Sequence, residues 1–320
     1  MWISPKRLKD LGILGMNRRN VDLIAAHNPR SLYPLVDNKL KTKYLAEEYG
    51  ITTPRLRLVI QAQHEIKKSL ETLRELGAFA AKPAKGSGGK GILVIAGYEE
   101  GYFIKGSGAG LDERDIKRHL SNILAGLYSL AGTPDVVLVE DLVQMSPLFE
   151  DYSFQGIPDI RVIVFQGYPV MSMLRLATKA SDGKANLHQG AVGVGLDIAT
   201  GTCIQAVQFG KLVEEHPDTG VPLNDIRLPD WERFLLLASR CHDMTGLGYI
   251  GADIVLDRNH GPMLLELNAR PGLTIQVTNG SGLLRRLKRI ETLDKKRGRS
   301  AEERVRISMD LFHHERDTKF

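Results

Sequence analysis

The amino-acid sequence predicts a mixed α/β protein of the α+β kind, and three observations carry that reading. Two pairs of β-patterned runs, 160–165 with 170–176 and 249–256 with 263–267, are each joined by a short turn. The turns are Gln166-Gly167-Tyr168-Pro169 and Asp257-Arg258-Asn259-His260-Gly261, and connections that short close antiparallel hairpins, because a parallel pair needs a crossover of a dozen or so residues. Segments with helical spacing are interspersed among the strands, which points to α+β architecture rather than a doubly wound parallel sheet.

In chain order, helical spacing appears at 18–28 and 39–49, with Asp37 placed to cap the second and Gly50 to end it. Residues 55–60 alternate as a strand, 64–76 read as a helix stopped by Gly77, and 79–82 form a short strand. The run Pro83-Ala84-Lys85-Gly86-Ser87-Gly88-Gly89-Lys90-Gly91 then leads into a strand at 92–96. Residues 112–130 are amphipathic and helical, 136–143 form a strand bearing Glu140 and Asp141, and 231–245 form a helix closed by Gly246. No internal repeat or low-complexity linker interrupts these elements, so a subdomain boundary, expected near 131–135, is a hinge rather than a tether.

The 320 residues are 42% hydrophobic and 25% charged, with a formal net charge of +5. This composition excludes disorder as the main theme and excludes a membrane protein. The apolar runs at 92–96 and 136–139 are strand-length, far short of the roughly 20 residues a spanning helix needs. Charges run through residues 1–12, so no signal peptide is expected. Cys203 and Cys241 are too few for a disulfide framework or a cysteine-rich metal site, and a reducing cytoplasm is the expected location. Residues 285–306 hold ten Lys or Arg against four acids. That segment reads as a solvated helix with a basic tail or as a contact for nucleic acid or another acidic partner. No aromatic interrupts it before Phe312, so the stacking platform of a single-strand binder is missing.

Three groups of residues carry chemistry. The glycine-rich loop around Gly88 and Gly89 follows Lys82 on a strand and contains Lys85 and Lys90, giving a backbone able to approach a ligand closely and cations for phosphate oxygens; a glycine-rich hairpin turn would look the same. In the second hairpin, Glu266 and Asn268 are two apart and face one side, and closure of the turn brings Asp253 opposite Glu266. Hard oxygen donors of this kind suit Mg²⁺, which shares its remaining positions with water and substrate phosphates. Asp257, in the adjoining turn, lies outside this cluster. The third group is Asp159-Ile160-Arg161, Arg175 and the run Lys184-Ala185-Asn186-Leu187-His188-Gln189-Gly190, whose cations and amides would gather in one region if the sheet folds over the glycine loop.

The order of these pieces resembles the ATP-grasp fold of carboxylate–amine ligases. It comprises Asp37-Asn38-Lys39, Gly50-Ile51-Thr52-Thr53-Pro54, Lys82-Pro83 with its glycine loop, Val139-Glu140-Asp141, and Asp253 with Glu266-Leu267-Asn268. Within that fold, Asp159-Ile160-Arg161, Asn186-Leu187-His188 and Asn268-Ala269-Arg270-Pro271-Gly272 are most similar to the ribosomal-protein glutamate ligases and their alpha-L-glutamate ligase-like relatives. The resemblance runs from about 37 to 280, roughly three quarters of the chain. It implies two α+β lobes with nucleotide bound between them, at 37–134 and 135–282, after a short helical extension at 1–36 and before a basic helix and tail at 283–320.

The resemblance also implies roles. Lys82 would hold ATP phosphates, Glu140 and Asp141 would meet adenine, and Asp159 would contact ribose. Lys39, Gly88, Gly89 and Lys184 join the nucleotide-contacting positions, with Lys184 standing where the ribosomal-tail ligases have Arg. Asp253, Glu266 and Asn268 match magnesium ligands for one or two Mg²⁺ ions, with Mn²⁺ as an alternative, while Arg161, Arg175, Asn186 and Arg270 are candidates for stabilising phosphate or acyl phosphate. Arg270 replaces a small residue of the family pattern. Only 36 residues precede Asp37, where the ribosomal-tail ligases place a whole domain.

The expected function is therefore ATP-dependent amide or peptide bond formation through an acyl phosphate, attaching glutamate or a related amino acid to a peptide or small-molecule amine. Homo-oligomerisation stays open, and no membrane span is expected. The alternatives are a non-catalytic ATP-binding regulatory module and an RNA-associated protein led by the basic tail.

Overall fold

The computed structural model describes residues 4–86, 88–129, 132–293 and 298–313, so Ser87, Ala131 of the expected hinge and Lys295, Lys296 and Arg297 of the basic segment lie outside the described residues. Its elements gather into two units, one made of Asn38–Tyr44 and Thr53–Gln144, the other of Met1–Asp37, Leu45–Thr52 and Met145–Phe320.

The first unit is built on six strands, β1 (Leu56–Ile60), β2 (Phe79–Pro83), β3 (Leu93–Glu99), β4 (Tyr102–Lys105), β5 (Gly110–Leu111) and β6 (Val137–Glu140). They lie in the order β1-β6-β2-β3-β4-β5, and every neighbouring pair is antiparallel. Phe79, Ala81, Val137 and Val139 share a core with Leu70 and Leu73 of the helix Ile66–Leu76 and with Ile116, Leu120 and Ile123 of the helix Glu113–Leu124. Because strand side chains alternate, the same register sends Lys82 and Glu140 to the opposite face. The second helix starts where expected, with Asp112 capping it reciprocally with Asp115, but it ends at Leu124 rather than near 130. Gly126 takes φ +83°, and a Cβ there would stand 2.3 Å from the Thr133 carbonyl oxygen, so the chain reverses at a position only glycine fits.

The second unit holds seven strands, β7 (Asp159–Phe165), β8 (Tyr168–Leu176), β9 (Val192–Leu196), β10 (Cys203–Gln208), β11 (Lys211–Val213), β12 (Tyr249–Asp257) and β13 (Gly261–Asn268). Their order is β11-β10-β9-β8-β7-β12-β13, again antiparallel throughout. Both hairpins expected from the sequence are present. Phe234, Leu235, Ala238 and Cys241 of the helix Trp231–Thr245 enter one large core with Val162, Val164 and Ile250, and Gly246 at φ +69° ends that helix as its position predicts. Burial pushes the Cys241 thiol well above its ordinary value. Among the described residues no helix is long and apolar enough to cross a membrane.

The basic C-terminal segment departs from the expectation of a solvated helix. Arg286 and Arg304 are buried on the helices Leu283–Glu291 and Ala301–Leu311. Arg286 donates to the Val170 carbonyl at 2.8 Å and lies over the Phe312 ring. Arg304 donates to the Gly167 carbonyl and the Ser239 hydroxyl, both at 3.2 Å, and pairs with Asp243 at 2.5 Å. Arg299 donates to the Tyr168 hydroxyl at 2.8 Å. These cations clamp the helices onto the β7–β8 turn, and the two buried ones are withdrawn from any nucleic-acid surface. Arg304→Leu is expected to lower stability by about 2–3 kcal/mol, since Gly167 and Ser239 lose a buried donor, whereas the exposed Arg306→Leu should change it by under about 0.5 kcal/mol. Urea unfolding followed by circular dichroism measures both.

Candidate functional site

Each unit carries its own cluster of charged side chains, placed by strand register. In the second unit, Asp159 pairs across to Arg175 on β8, Arg161 to Asp253 on β12, and Asp253 to Glu266 on β13. Cross-strand partners share a face and so do residues two apart, which puts Asp159, Arg161, Arg175, Asp253, Glu266 and Asn268 on one side of the sheet. Arg161 grips Asp253 with both ends of its fork, Nε to Oδ1 at 2.7 Å and Nη2 to Oδ2 at 2.5 Å. Arg175 adds Nη2 at 3.0 Å from Asp253 Oδ2 and pairs through Nε with Asp159. Asn268 Nδ2 donates to Asp253 Oδ2 at 3.2 Å.

The environment separates the two aspartates. Burial works against the charge of Asp253, but Arg161 and Arg175 outweigh it and hold the carboxyl at about 2. At Asp159 burial, joined by the nearby Asp253 charge, outweighs the pull of Arg175 and the smaller pull of Arg161, so that carboxyl is pushed up to about 6. Burial disfavours the Arg175 cation too, yet Asp159 and Asp253 keep its pKa above the ordinary guanidinium value. The cluster thus balances two acids against two cations inside the sheet face.

A divalent cation is the group the sequence resemblance places here. Among the described residues no three His, Cys, Asp or Glu side chains are grouped to hold a metal, so a cation would rest on two carboxylates, an amide and oxygens from water or substrate. The donor set fits that demand. Asp253 Oδ2 receives contacts from Arg161, Arg175 and Asn268, while Oδ1 receives one from Arg161, which leaves Oδ1 a lone pair on the face that Glu266 shares. Asn268 lies beside the same carboxylate, on Oδ2, and turning its amide over would exchange that hydrogen bond for an oxygen donor.

In the first unit, Lys82 Nζ sits 2.6 Å from Glu140 Oε2 and Lys43 Nζ 2.8 Å from Glu140 Oε1. All three are nearly buried. Lys43 also donates to the Pro54 carbonyl, and burial pushes its ammonium below the ordinary value against the pull of Glu140. Two ammonium groups on one carboxylate leave an excess of positive charge, which favours an anion. Lys43 escaped the sequence reading because the run Lys39-Leu40-Lys41-Thr42-Lys43 looks like a solvated helical face; its spacing of four from Lys39 was the available signal. Asp141 faces outward in a bidentate pair with Arg57 at 2.5 and 2.8 Å. Lys39 donates to the Gly86 carbonyl at 2.7 Å, at the start of the glycine loop. Gly88 and Gly89 both have positive φ, and among the described residues, their chain neighbours aside, no atom lies within 4 Å of where a Cβ would stand, while His119 Nε2 meets the Gly91 carbonyl at 3.0 Å at the loop's exit.

Other expected site residues make their contacts elsewhere. Lys184 is exposed and pairs with Asp182 at 3.2 Å. Asn186 accepts from the His188 backbone and so caps the short turn Leu187–Gln189. Arg270 is directed to Asp37 rather than to Asp253. Asp257 is no bystander to its hairpin: it is buried, and its Oδ1 accepts from the backbone of Asn259 and His260 and meets His260 Nδ1, so it holds the turn together.

Comparison with known proteins adds family information. The family model of sugar-transfer-associated ATP-grasp proteins matches residues 18–292. A probable alpha-L-glutamate ligase from Pseudomonas putida strain F1 is 30% identical over 144 residues, which are 45% of this chain and 36% of that protein. The chain therefore matches little more than a third of the length of that curated relative. Among solved structures, D-alanyl-alanine synthetase A from Vibrio cholerae is similar with a TM-score of 0.48 and 12% identity over 88% of this chain and 66% of that one. D-cycloserine synthetase DcsG is similar with a TM-score of 0.47 and 15% identity over 82% and 71%.

The Lys43–Glu140–Lys82 cluster makes an expectation for stability. Glu140→Gln leaves two neighbouring ammonium groups without their shared carboxylate and should cost about 3 kcal/mol, while Asp141→Asn, which breaks a solvent-screened pair, should leave stability near that of the wild type. Thermal denaturation of the two variants side by side checks the contrast.

Proposed function

We propose that this chain, which belongs to the sugar-transfer-associated ATP-grasp family, is an ATP-dependent carboxylate–amine ligase that joins glutamate or a related amino acid to a peptide or small-molecule partner. The observation that carries this reading is the single-face row built by β7, β8, β12 and β13, where Asp253, Glu266 and Asn268 stand beside Arg161 and Arg175. Oxygen donors flanked by fixed guanidiniums suit phosphoryl transfer, whose catalysis is mostly positioning and charge stabilisation.

In the proposed reaction a substrate carboxylate oxygen attacks the γ-phosphorus of ATP, the bond to the β-phosphate oxygen breaks, and ADP leaves. An amine then attacks the acyl carbon of the resulting acyl phosphate, inorganic phosphate departs, and the amine's proton is lost to solvent or base. Arg161 and Arg175 are placed to stabilise the charge that develops on the transferred group, and their ion pairs with Asp253 and Asp159 keep them oriented before substrate arrives. Asp253, Glu266 and Asn268 would hold Mg²⁺, which when bound neutralises phosphate charge. Lys82 and Lys43 supply cations for the nucleotide phosphates, and the Glu140–Asp141 segment with Gly88 and Gly89 supplies backbone groups. No protein nucleophile is needed, in keeping with two cysteines whose thiols burial raises, Cys203 to about 11 and Cys241 further still.

Two measurements test the reading. Lys82→Ala should weaken ATP binding in calorimetry by roughly tenfold or more, while Lys117→Ala, on the exposed side of the helix Glu113–Leu124, should not. Glu266→Gln should abolish magnesium-dependent phosphate release, assayed with a panel of amino acids and peptides and with mass spectrometry of the product, while the folded state survives. Because Asp257 holds its turn, the exposed Glu291→Gln is the proper control. Wild-type magnesium dependence in Glu266→Gln would move the catalytic centre elsewhere.

A further inference from the structure

We propose that the glycine loop meets nucleotide phosphates as a pre-shaped hoop, pinched at Gly86 and Gly91 against one turn of the chain, and that His119 is the positioning residue that fixes its exit. The proposal deepens the ATP-binding reading above and rests on it.

The two stems of the loop stand side by side. A Cβ added to Gly86 would lie 3.4 Å from the Lys90 carbonyl oxygen and 2.3 Å from Cγ of Pro83, so a side chain at 86 has no room between the end of β2 and the loop's return. Gly86 also forms an isolated antiparallel bridge with Ser129. At the exit, Gly91 has φ +76°, and a Cβ there would stand 2.5, 2.6 and 2.9 Å from three side-chain atoms of Tyr128. Entrance and exit are thus closed by two consecutive residues, Ser129 and Tyr128.

The turn that receives them is fixed by its own bonds. The Leu127 amide donates to the Asn122 carbonyl and the Ser129 amide to the Gly126 carbonyl, both at 3.1 Å, and the Ser129 hydroxyl reaches the carbonyls of Gly126 and Thr133. The Tyr128 side chain packs on the apolar core of the first unit. The chain entering the loop is held as firmly. The Ala84 amide donates to the Val136 carbonyl at 3.1 Å, the Lys85 amide to the carboxylate of buried Asp135 at 2.8 Å, and Lys39 Nζ to the Gly86 carbonyl at 2.7 Å.

His119 completes the exit. It lies on the helix Glu113–Leu124, its ring centre is 5.6 Å from that of Tyr128, and its Nε2 is 3.0 Å from the Gly91 carbonyl oxygen. A carbonyl oxygen only accepts, so Nε2 carries the proton. Burial, aided by the Lys105 charge, keeps the imidazole below its ordinary pKa against the pull of the Gly91 carbonyl, and at neutral pH the ring is an uncharged donor.

A loop free at its ends orders only when its ligand arrives, and the entropy lost then weakens binding. Here the stems are ordered by folding. Gly88 and Gly89, at φ +62° and +74°, stand between them, and successive backbone amides in such conformations suit phosphate oxygens. A carbonyl oxygen turned into that space would repel the anion. The Gly91 carbonyl is aimed at His119 instead, so one hydrogen bond both anchors the exit and directs a repelling oxygen elsewhere.

The test uses the full chain. His119→Leu removes the donor, whereas His119→Gln restores an uncharged N–H near the position of Nε2; Gly91→Ala attacks the same contact from the loop side, through its positive φ and the Tyr128 ring. A non-hydrolysable ATP analogue is titrated by calorimetry, adenosine by ligand-observed NMR, and amide hydrogen exchange of residues 88–91 is followed without nucleotide. His119→Leu and Gly91→Ala should raise the analogue's Kd about fivefold, the factor one ordinary hydrogen bond carries, with His119→Gln and every Kd for adenosine within about twofold of wild type. Exchange at 88–91 should quicken in His119→Leu and return toward wild type in His119→Gln. An analogue affinity that neither His119→Leu nor Gly91→Ala changes overturns the proposal. Equal losses for the analogue and adenosine also overturn it, since they mark general damage to the unit, and so does a His119→Gln variant as weak as His119→Leu. A wild-type protein that binds neither nucleotide nor nucleoside overturns the ATP reading itself, an outcome distinct from wild-type binding that the variants leave intact.

Discussion

The ion cluster around Asp253 is the constraint on which the second unit depends. A carboxylate that is almost fully buried cannot stay charged alone, and Asp253 keeps its charge because two guanidiniums meet it on the sheet face. That meeting requires β7, β8 and β12 to hold one register: a slip of one residue would turn Arg161 into the apolar core and bring Ile160 or Val162 to the acid. The hairpins thus do more than shape the sheet. Their turns decide whether the charges are paired, and Asp257, which ties its own turn with three contacts from one oxygen, belongs to that machinery.

The first unit solves a related problem with the opposite charge balance. Lys43 and Lys82 share one buried carboxylate, so the group carries an excess positive charge in a poorly solvated place. Such an arrangement is costly for stability and useful for an incoming anion, which would complete the neutralisation that Glu140 begins. The glycine loop attached to β2 is tied at its beginning by Lys39 and at its exit by His119, while Gly88 and Gly89 present open backbone between those ties.

The N-terminal and C-terminal segments are both read differently once their contacts are known. Residues 19–37 are sparse in apolar side chains that bury, yet they supply Arg19, Asn28, Tyr33 and Asp37 to the loop that follows β13. The basic C-terminal run resembles a polyelectrolyte in sequence, whereas Arg286 and Arg304 spend their donors on backbone carbonyls of the β7–β8 turn and the start of β8. An arginine can serve as an interior clamp because its five donors satisfy several carbonyls at once.

Much was legible in the sequence, and for identifiable reasons. Period-two alternation and short turns determined both hairpins of the second unit, and with them the approach of Asp253, Glu266 and Asn268, because cross-strand proximity follows from local geometry alone. Glycine at 77 and 246 marked helix ends for the same local reason. What only the tertiary structure decided were the contacts between residues far apart in the chain. The strands Val192–Leu196 and Cys203–Gln208 escaped the sequence reading. In the first, Gly193 and Gly195 interrupt the apolar pattern, and they are small because Thr278 packs on them: a Cβ would stand 2.6 Å from the Thr278 methyl carbon or 2.2 Å from its carbonyl oxygen. The pairing of Lys43 with Glu140, of Arg304 with Gly167 and of Arg270 with Asp37 likewise spans long stretches of chain. Periodicity reports which face a side chain occupies, but the partner that face meets is chosen by the packing of whole elements.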